Sequence, residues 1–138
     1  MAFSSPRAPI TCHVLDITTG LPVPNLSVTL SLLSISPSDP SSTHPSALFT
    51  AFTNADGRVS TWTSSDADED ALETLFALGR DDGRTLVWSL RFATGEYYGE
   101  GSTFWPEVEV KFWTQQGRAH VHVPLLLGPY GYTTYRGS

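Results

Sequence analysis

The feature of this 138-residue sequence that most constrains its fold is a strict alternation of apolar and polar residues. Five segments show it, and in each the apolar side chains recur at every second position, as in a strand that buries one face. They lie at residues 10–17, 26–32, 86–92, 108–112 and 119–125. Because each segment has a single apolar face, we predict antiparallel sheets packed face to face.

Three weaker strands are predicted at residues 47–53, 58–61 and 130–135, which brings the expected total to about eight. Turn signals separate the strands. The clearest is Asn-Ala-Asp-Gly at residues 54–57, where asparagine and glycine favour a tight turn. A longer loop is expected at residues 18–25. The sequence therefore predicts an all-β fold, a two-sheet antiparallel β-sandwich.

Two segments interrupt the strand pattern. Residues 34–46, which include His44, are rich in serine and proline and predict a mobile loop. Residues 66–78 are acidic but contain leucine and phenylalanine at helical spacing, so they predict one short helix with an acidic first turn. We expect this acidic segment to be a passive, exposed insertion. A further helical turn is predicted at residues 94–101.

Length and composition indicate a globular protein. At about 150 residues per domain, the length favours a single domain over residues 1–138. Hydrophobic residues make up 40% of the chain, which is too many for a disordered protein. No apolar run approaches the ~20 residues of a membrane-spanning helix. The single cysteine, Cys12, excludes an intramolecular disulfide framework.

The net charge of −6 arises in one segment, residues 66–82, which has seven acidic residues and one basic residue, Arg80. The rest of the chain therefore sums to zero. A nucleic-acid-binding protein needs clustered positive charge, whereas the only lysine here is Lys111. The charge distribution argues against nucleic acid and anionic membrane as partners.

The two ends of the sequence bear on localisation. The first residues lack the 7–15-residue apolar core of a secretory signal. The last three residues, Arg136-Gly137-Ser138, are not a peroxisomal address of the Ser-Lys-Leu type. We expect an intracellular protein in the cytoplasm, with a peroxisomal location left open.

Three histidines lie on predicted strands, and the alternation shows which way they face. His13 is on the opposite face from its apolar neighbours, and His120 and His122 are opposite Val121 and Val123. All three are therefore expected to point away from the sandwich core. Any one of these histidines, taken by itself, could simply be a solvent-exposed residue on the outer surface.

The residues that follow the third histidine indicate that this outer face is covered. Pro124 removes a backbone donor from the ladder, which predicts a strand at a sheet edge or a bulge. Residues 125–132, Leu-Leu-Leu-Gly-Pro-Tyr-Gly-Tyr, are too apolar for a free surface. A second subunit could cover the face and convert it into a cleft. A His-x-His pair on a strand also suits a metal, with His13 as a third ligand.

Three stretches of the sequence resemble the signatures of the transthyretin-like 5-hydroxyisourate hydrolases of purine catabolism. They are HVLDITTGLPVPNLSVTL at residues 13–30, TNADGR at residues 53–58, and HVHVPLLLGPYGYTTYRGS at residues 120–138. The terminal YRGS with the upstream His-x-His-x-Pro-Leu-Leu is the most specific of the three. The resemblance implies a transthyretin-like sandwich, hydrolysis of 5-hydroxyisourate in urate degradation, and a homotetramer, a dimer of dimers with active sites at subunit interfaces.

The resemblance also implies which residues form the site. The family's catalytic residues match His13, Arg58 and His122. Its terminal signature matches the substrate-binding residues Tyr135, Arg136, Gly137 and Ser138. His120 shares a face with His122 and is expected to line the substrate site. Non-enzymatic transthyretin lacks these histidines, this arginine and this terminus.

The expected chemistry is the opening of a cyclic ureide at a ring carbonyl–nitrogen bond. A histidine with a pKa near the operating pH can take a proton from the attacking water, and a guanidinium can stabilise the charge on the carbonyl oxygen. No metal or organic cofactor is required by this scheme. Which histidine is the base stays open. Two alternatives also stay open, namely a non-catalytic carrier of aromatic ligands and a His-ligated metal hydrolase.

Overall fold

The computed structural model describes residues 7–37, 47–66 and 68–138. Within these ranges the chain forms ten strands and two helices. The strands are β1 (Ile10–Asp16), β2 (Leu21–Pro22), β3 (Ser27–Ser36), β4 (Leu48–Phe52), β5 (Arg58–Val59), β6 (Thr63–Ser64), β7 (Thr85–Phe92), β8 (Val108–Thr114), β9 (Val121–Leu127) and β10 (Tyr132–Thr134). The helices are α1 (Ala71–Arg80) and α2 (Thr94–Tyr98).

The strands form two five-stranded sheets, which confirms the predicted β-sandwich. The first sheet has the order β10-β9-β1-β2, and β5 also pairs with β1. The second has the order β6-β4-β3-β7-β8. All eight predicted strands are present, whereas β2 lies inside the predicted loop and β6 was not expected.

The prediction of purely antiparallel sheets is wrong at one position, because β1 and β9 run parallel. Their register pairs Ile10 with Val121 and Asp16 with Leu127. Alternation along a strand reports which face is buried and carries no information on the direction of its neighbour. Parallel neighbours need a long connection, and residues 17–120 lie between these two strands.

The expectation that Pro124 marks an edge or a bulge is also wrong, because β9 lies between β1 and β10. Pro124, which has no N–H, lies at a gap in the pairing, between Leu125 opposite Thr134 and His122 opposite Gly137. There the Thr134 hydroxyl donates to the Pro124 carbonyl oxygen at 2.8 Å, in place of a backbone donor. Pairing resumes beyond the gap, where Gly137 bridges to His122.

The core lies between the two sheets and is formed by the inward residues of the alternating segments. Trp88 is its largest fully buried side chain, and its indole N–H donates to Thr114 Oγ1 at 2.8 Å. Fully burying one Val, Leu, Ile, Phe or Met side chain contributes roughly 1.5–3 kcal/mol. This burial holds the outward-facing residues of the first sheet on a rigid support.

The acidic segment forms the predicted helix, but it is not a passive insertion. Helix α1 buries Leu72 and Phe76 in the core cluster and packs against β7 and β8. A Cβ on Gly79 would lie only 3.2 Å from the Arg84 carbonyl oxygen, so glycine permits this close approach. The helix begins at Ala71, after most of the acidic residues, and only Glu73 lies in its first turn. Its polar face is exposed while its apolar face completes the core.

The structure describes the serine- and proline-rich segment only as far as Pro37. Residues 34–36 were predicted as loop but belong to β3, which continues through a bulge between Leu32 and Ser34 and pairs with β7. Backbone hydrogen bonding to β7 overrides the local composition here. The remaining residues of the predicted loop, 38–46 with His44, lie outside the described residues. The helical turn predicted at residues 94–101 is confirmed as α2.

Candidate active site

Three adjacent strands of the first sheet bring His13, Arg58 and His122 together. His13 on β1 lies directly opposite Arg58 on β5. Two residues earlier on the same face of β1, Thr11 lies directly opposite His122 on β9. Cys12, which alternates with them, is fully buried in the core. The prediction that His13 and His122 point away from the core is therefore confirmed.

The histidine rings form a close group on this outer face. The centroids of His13 and His122 are 6.4 Å apart. His120 and His122 are stacked with centroids 6.3 Å apart and an angle of 19° between the ring planes. All three side chains are half-buried, so they are partly desolvated yet accessible from one side.

The position of Arg58 follows from the tight turn before it. Asn54 Oδ1 accepts hydrogen bonds from the backbone N–H groups of Asp56 and Arg58, both at 2.9 Å. Gly57 has a φ of +73°, and a Cβ there would clash with the Val14 carbonyl oxygen. The glycine therefore lets this turn lie directly against β1, which places Arg58 beside His13.

The surroundings of the histidines favour their neutral forms. Burial and then the Arg58 guanidinium lower the pKa of His13, against a hydrogen bond that the ring donates to the Asp56 backbone and the charge of the Asp56 carboxylate, which raise it. Burial, followed by Arg58, His120 and His13, lowers the pKa of His122. Burial and Arg7 lower the pKa of His120. At neutral pH each ring therefore keeps a lone pair that can accept a proton.

Sequence reasoning missed Thr11, which connects two of the histidines. Its Oγ1 lies 2.9 Å from His120 Nε2 and 2.7 Å from His122 Nδ1. The available signal was its position two residues before His13 on the same strand face. The contact itself depends on the pairing of β1 with β9, which the local sequence does not encode.

The terminal residues divide between two places. The Gly137 N–H donates to the His122 carbonyl oxygen at 2.8 Å, and the glycine lies against the His122 ring. Tyr135 and Arg136 are exposed and line a groove of about 610 Å³ beside Phe112 of β8. Ser138 follows Gly137 directly and is exposed. The structure thus brings Gly137 to His122, while the substrate-binding roles of Tyr135, Arg136 and Ser138 stay predictions.

Other reactive side chains lie apart from this group. Burial raises the pKa of Cys12 to about 12, so its thiol is not a nucleophile at neutral pH. Asp16 is buried at the end of β1, where Tyr97 donates to its Oδ2 at 2.8 Å and the Thr18 N–H donates to its Oδ1 at 2.8 Å. Residues 7–37, 47–66 and 68–138 contain no group of three His, Cys, Asp or Glu side chains arranged to hold a metal ion.

The two-sheet fold and the histidine–arginine face define a transthyretin-like protein with a polar outer site. A family model described as the HIUase/Transthyretin family matches residues 10–137. The chain belongs to this family.

Individual relatives agree with this assignment. A Schizosaccharomyces pombe protein named "Probable 5-hydroxyisourate hydrolase" is 37% identical over 138 residues, which cover 96% of this chain and 94% of the relative. The solved 5-hydroxyisourate hydrolase of Klebsiella pneumoniae has a TM-score of 0.58 at 23% identity, over 95% of this chain and 94% of that one. Transthyretin from Sparus aurata has a TM-score of 0.65 at 22% identity, over 95% and 97% of the two chains. The two structural similarities show the fold.

Proposed function

We propose that this protein hydrolyses 5-hydroxyisourate and opens its ring at a carbonyl–nitrogen bond. The observation that carries the proposal is the meeting of His13, Arg58 and His122 on one face of three adjacent strands. Relatives that are named for this activity and align over nearly the whole chain support it. The reaction belongs to urate degradation.

The three residues divide the chemistry of ring opening. One neutral histidine takes a proton from water as the oxygen attacks the ring carbonyl carbon. Arg58 stabilises the negative charge that develops on the carbonyl oxygen, and its planar guanidinium also matches a ureide edge. A histidine then returns a proton to the leaving nitrogen. His120 and the terminal residues Tyr135, Arg136, Gly137 and Ser138 are proposed to bind the substrate.

A carrier of aromatic ligands would use the same face differently. It would need an apolar cleft, whereas this face has three half-buried histidines and an arginine. Burying such polar groups is costly unless they are hydrogen-bonded or serve the chemistry. Hydrolysis gives a role to the three histidines and the arginine, whereas the binding of an aromatic ligand gives them none.

The assay is direct. Freshly generated 5-hydroxyisourate is followed by its ultraviolet absorbance with and without the protein. A decay that is accelerated in proportion to protein concentration is the expected result. Decay at the uncatalysed rate with folded protein would refute the proposed function.

A metal-dependent hydrolase would respond to chelation. In the proposed scheme the histidines act as acid and base, so the activity survives exhaustive chelation with EDTA. Stoichiometric zinc in the purified protein, with activity that returns only on adding zinc, would replace this scheme by a metal centre.

We further propose that the protein is a homotetramer, a dimer of dimers with its active sites at subunit interfaces. Large apolar side chains are exposed shortly after β1 and β9, namely Ile17 (57% exposed), Leu21 of β2 (62%) and Tyr130 (71%). A second copy of the chain would cover them, exclude water from the histidine face and strengthen the action of Arg58.

Light scattering at the assay concentration tests this assembly. Four chains of 15.0 kDa give about 60 kDa. Tyr132→Asp places a charge in the proposed interface, so it should dissociate the tetramer and lower activity together. A fully active monomer would refute the interface site.

The compartment, expected to be the cytoplasm, stays a prediction. No helix in the described part of the chain is long and apolar enough to cross a bilayer.

A further inference from the structure

We propose that Thr11 is a positioning residue that couples the protonation of His120 to that of His122. Its hydroxyl would decide which nitrogen of His122 carries the proton, and so whether this ring acts as a base or as an acid. The inference deepens the proposed hydrolysis and rests on it. It also selects His122 as the proton-accepting histidine.

The geometry places one hydroxyl between two imidazole nitrogens. Thr11 is only 4% exposed, and its Oγ1 lies 2.9 Å from His120 Nε2 and 2.7 Å from His122 Nδ1. Among the residues that the structure describes, this oxygen has no third hydrogen-bond partner. A threonine hydroxyl has one proton to donate, and a buried hydroxyl is strongly favoured to donate it. One histidine must therefore accept from Thr11 while the other donates to it.

Two proton arrangements satisfy this constraint. In the base arrangement, His122 Nδ1–H donates to Thr11 Oγ1 and the Thr11 O–H donates to His120 Nε2. His122 Nε2 then has a free lone pair. In the acid arrangement both hydrogen bonds reverse, so His120 Nε2–H donates to Thr11 and the Thr11 O–H donates to His122 Nδ1. His122 Nε2 then carries the proton.

Proton uptake from water converts the first arrangement into the second. His122 Nε2 takes a proton from the attacking water and the ring becomes a cation. Its Nδ1 proton passes to Thr11 Oγ1, and the original hydroxyl proton passes to His120 Nε2. His122 is now neutral with a proton on Nε2, and the positive charge is on His120. The proton on His122 Nε2 is the one available to the leaving nitrogen.

The surrounding charges favour this transfer. Burial and then Arg58, His120, His13 and Arg7 oppose a positive charge on His122. Apart from burial, only Arg7 is found to oppose one on His120 within the described chain. Moving the charge from His122 to His120 takes it away from Arg58, whose own positive charge serves the carbonyl oxygen. Within the described residues, the charged and titratable groups found to act on the pair are His13 on β1, Arg58 on β5 and Arg7 in the segment before β1.

If Thr11 only filled space in the fold, its size and shape would be enough and its hydroxyl would not be needed. Thr11→Val keeps the β-branched shape and removes the hydroxyl, whereas Thr11→Ser keeps the hydroxyl and removes the methyl group. Thr94→Val is the matched control, because Thr94 is fully buried and its hydroxyl has no partner within the described residues. Each variant is first checked for its thermal midpoint and its oligomeric state.

Two measurements test the proposal, namely kinetics on 5-hydroxyisourate and the ¹⁵N chemical shifts of the imidazoles. We expect Thr11→Val to lower kcat at least tenfold with little change in KM, and to change the pH profile. Thr11→Ser should retain most of kcat, and Thr94→Val should match wild type. In wild type the shifts should show opposite protonation of the two nitrogens that face Thr11, His120 Nε2 and His122 Nδ1. Nε2 is then either unprotonated on both rings or protonated on both, and Thr11→Val should remove this relationship.

Two results would overturn the proposal. One is a Thr11→Val protein with wild-type kcat and pH profile, and the other is a Thr11→Ser protein as impaired as Thr11→Val. The ¹⁵N shifts do not depend on turnover. If the wild-type protein leaves 5-hydroxyisourate unchanged but shows the coupled tautomers, the proposed function fails while the coupling stands. Uncoupled tautomers in an active enzyme would refute the coupling alone.

Discussion

His13 and Arg58 lie directly opposite each other on β1 and β5, and the Arg58 guanidinium adds to burial in lowering the pKa of His13. After burial, the guanidinium is the largest influence that lowers the pKa of His13, and the same holds for His122. One arginine therefore acts in two ways. It favours the neutral forms of His13 and His122, and in the proposed mechanism it provides a fixed positive charge for an oxyanion.

Replacing Arg58 separates these two effects. Arg58→Met should lower kcat/KM by about 10²–10³-fold, as the loss of an oxyanion donor does in other enzymes. The pKa values of His13 and His122 should rise toward 6.5, because an opposing positive charge is gone. Kinetics across pH and an NMR titration of the histidines measure the two effects. Arg91→Met is the control, since Arg91 lies on the second sheet beside Glu107 at an exposed ion pair. Unchanged turnover in Arg58→Met would remove Arg58 from the mechanism.

The lowered histidine pKa values predict how stability depends on pH. A group whose pKa is lower in the folded state binds fewer protons there than in the unfolded chain, so stability falls as pH decreases below the ordinary value of 6.5. We expect urea midpoints to be constant above about pH 7.5 and to decrease between pH 6.5 and 5. Because His122→Gln removes one of these titrating groups, the urea midpoint of this variant should fall less between pH 6.5 and 5. The pKa of Asp16 is also lowered, by hydrogen bonds from Tyr97 and Thr18 that outweigh burial, but its contribution is lost only near or below 3.8. A midpoint that rises between pH 6.5 and 5 would contradict the prediction.

Gly137 tests the contact between the terminal segment and His122. A Cβ at this position would lie 2.8 Å from His122 Cδ2 and 2.9 Å from Pro124 Cγ, and both neighbours lie on the central strand β9. Gly137→Ala should therefore displace either the segment or the ring and lower kcat at least tenfold, with little loss of stability. At Gly131 a Cβ would meet no atom within 4 Å, so Gly131→Ala serves as the control. Equal activities of the two variants would show that the contact is not needed.

Helix α1 gives a prediction about stability alone. Phe76 is 1% exposed at the contact between α1 and the second sheet. Phe76→Ala should lower the free energy of unfolding by about 3–5 kcal/mol, as Phe→Ala does in other cores. Neutralising the exposed residues Asp68 and Glu69 as Asn and Gln should change it by less than about 0.5 kcal/mol. Chemical denaturation compares the variants. A cost below about 1 kcal/mol for Phe76→Ala would restore the view of α1 as a passive insertion.

Much of the site could be predicted from short stretches of the sequence. Alternation places His13 and His122 on the outer face of their strands, because side chains in a strand project to opposite sides in turn. The Asn-Ala-Asp-Gly turn before Arg58 depends on residues within a few positions of one another, and its conformation follows from their local preferences. The outward face expected for His13 and His122 therefore agrees with the structure.

Only the tertiary structure decided which strands became neighbours. The parallel pairing of β1 with β9 brings Thr11 to His122 although 111 residues separate them. It also places Pro124 inside the sheet rather than at its edge, and the packing of α1 turns an acidic insertion into part of the core. Alternation is a local property that reports which face of a strand is buried. The choice of neighbour and its direction depends on how both sheets bury their apolar faces together, and no single segment contains that information.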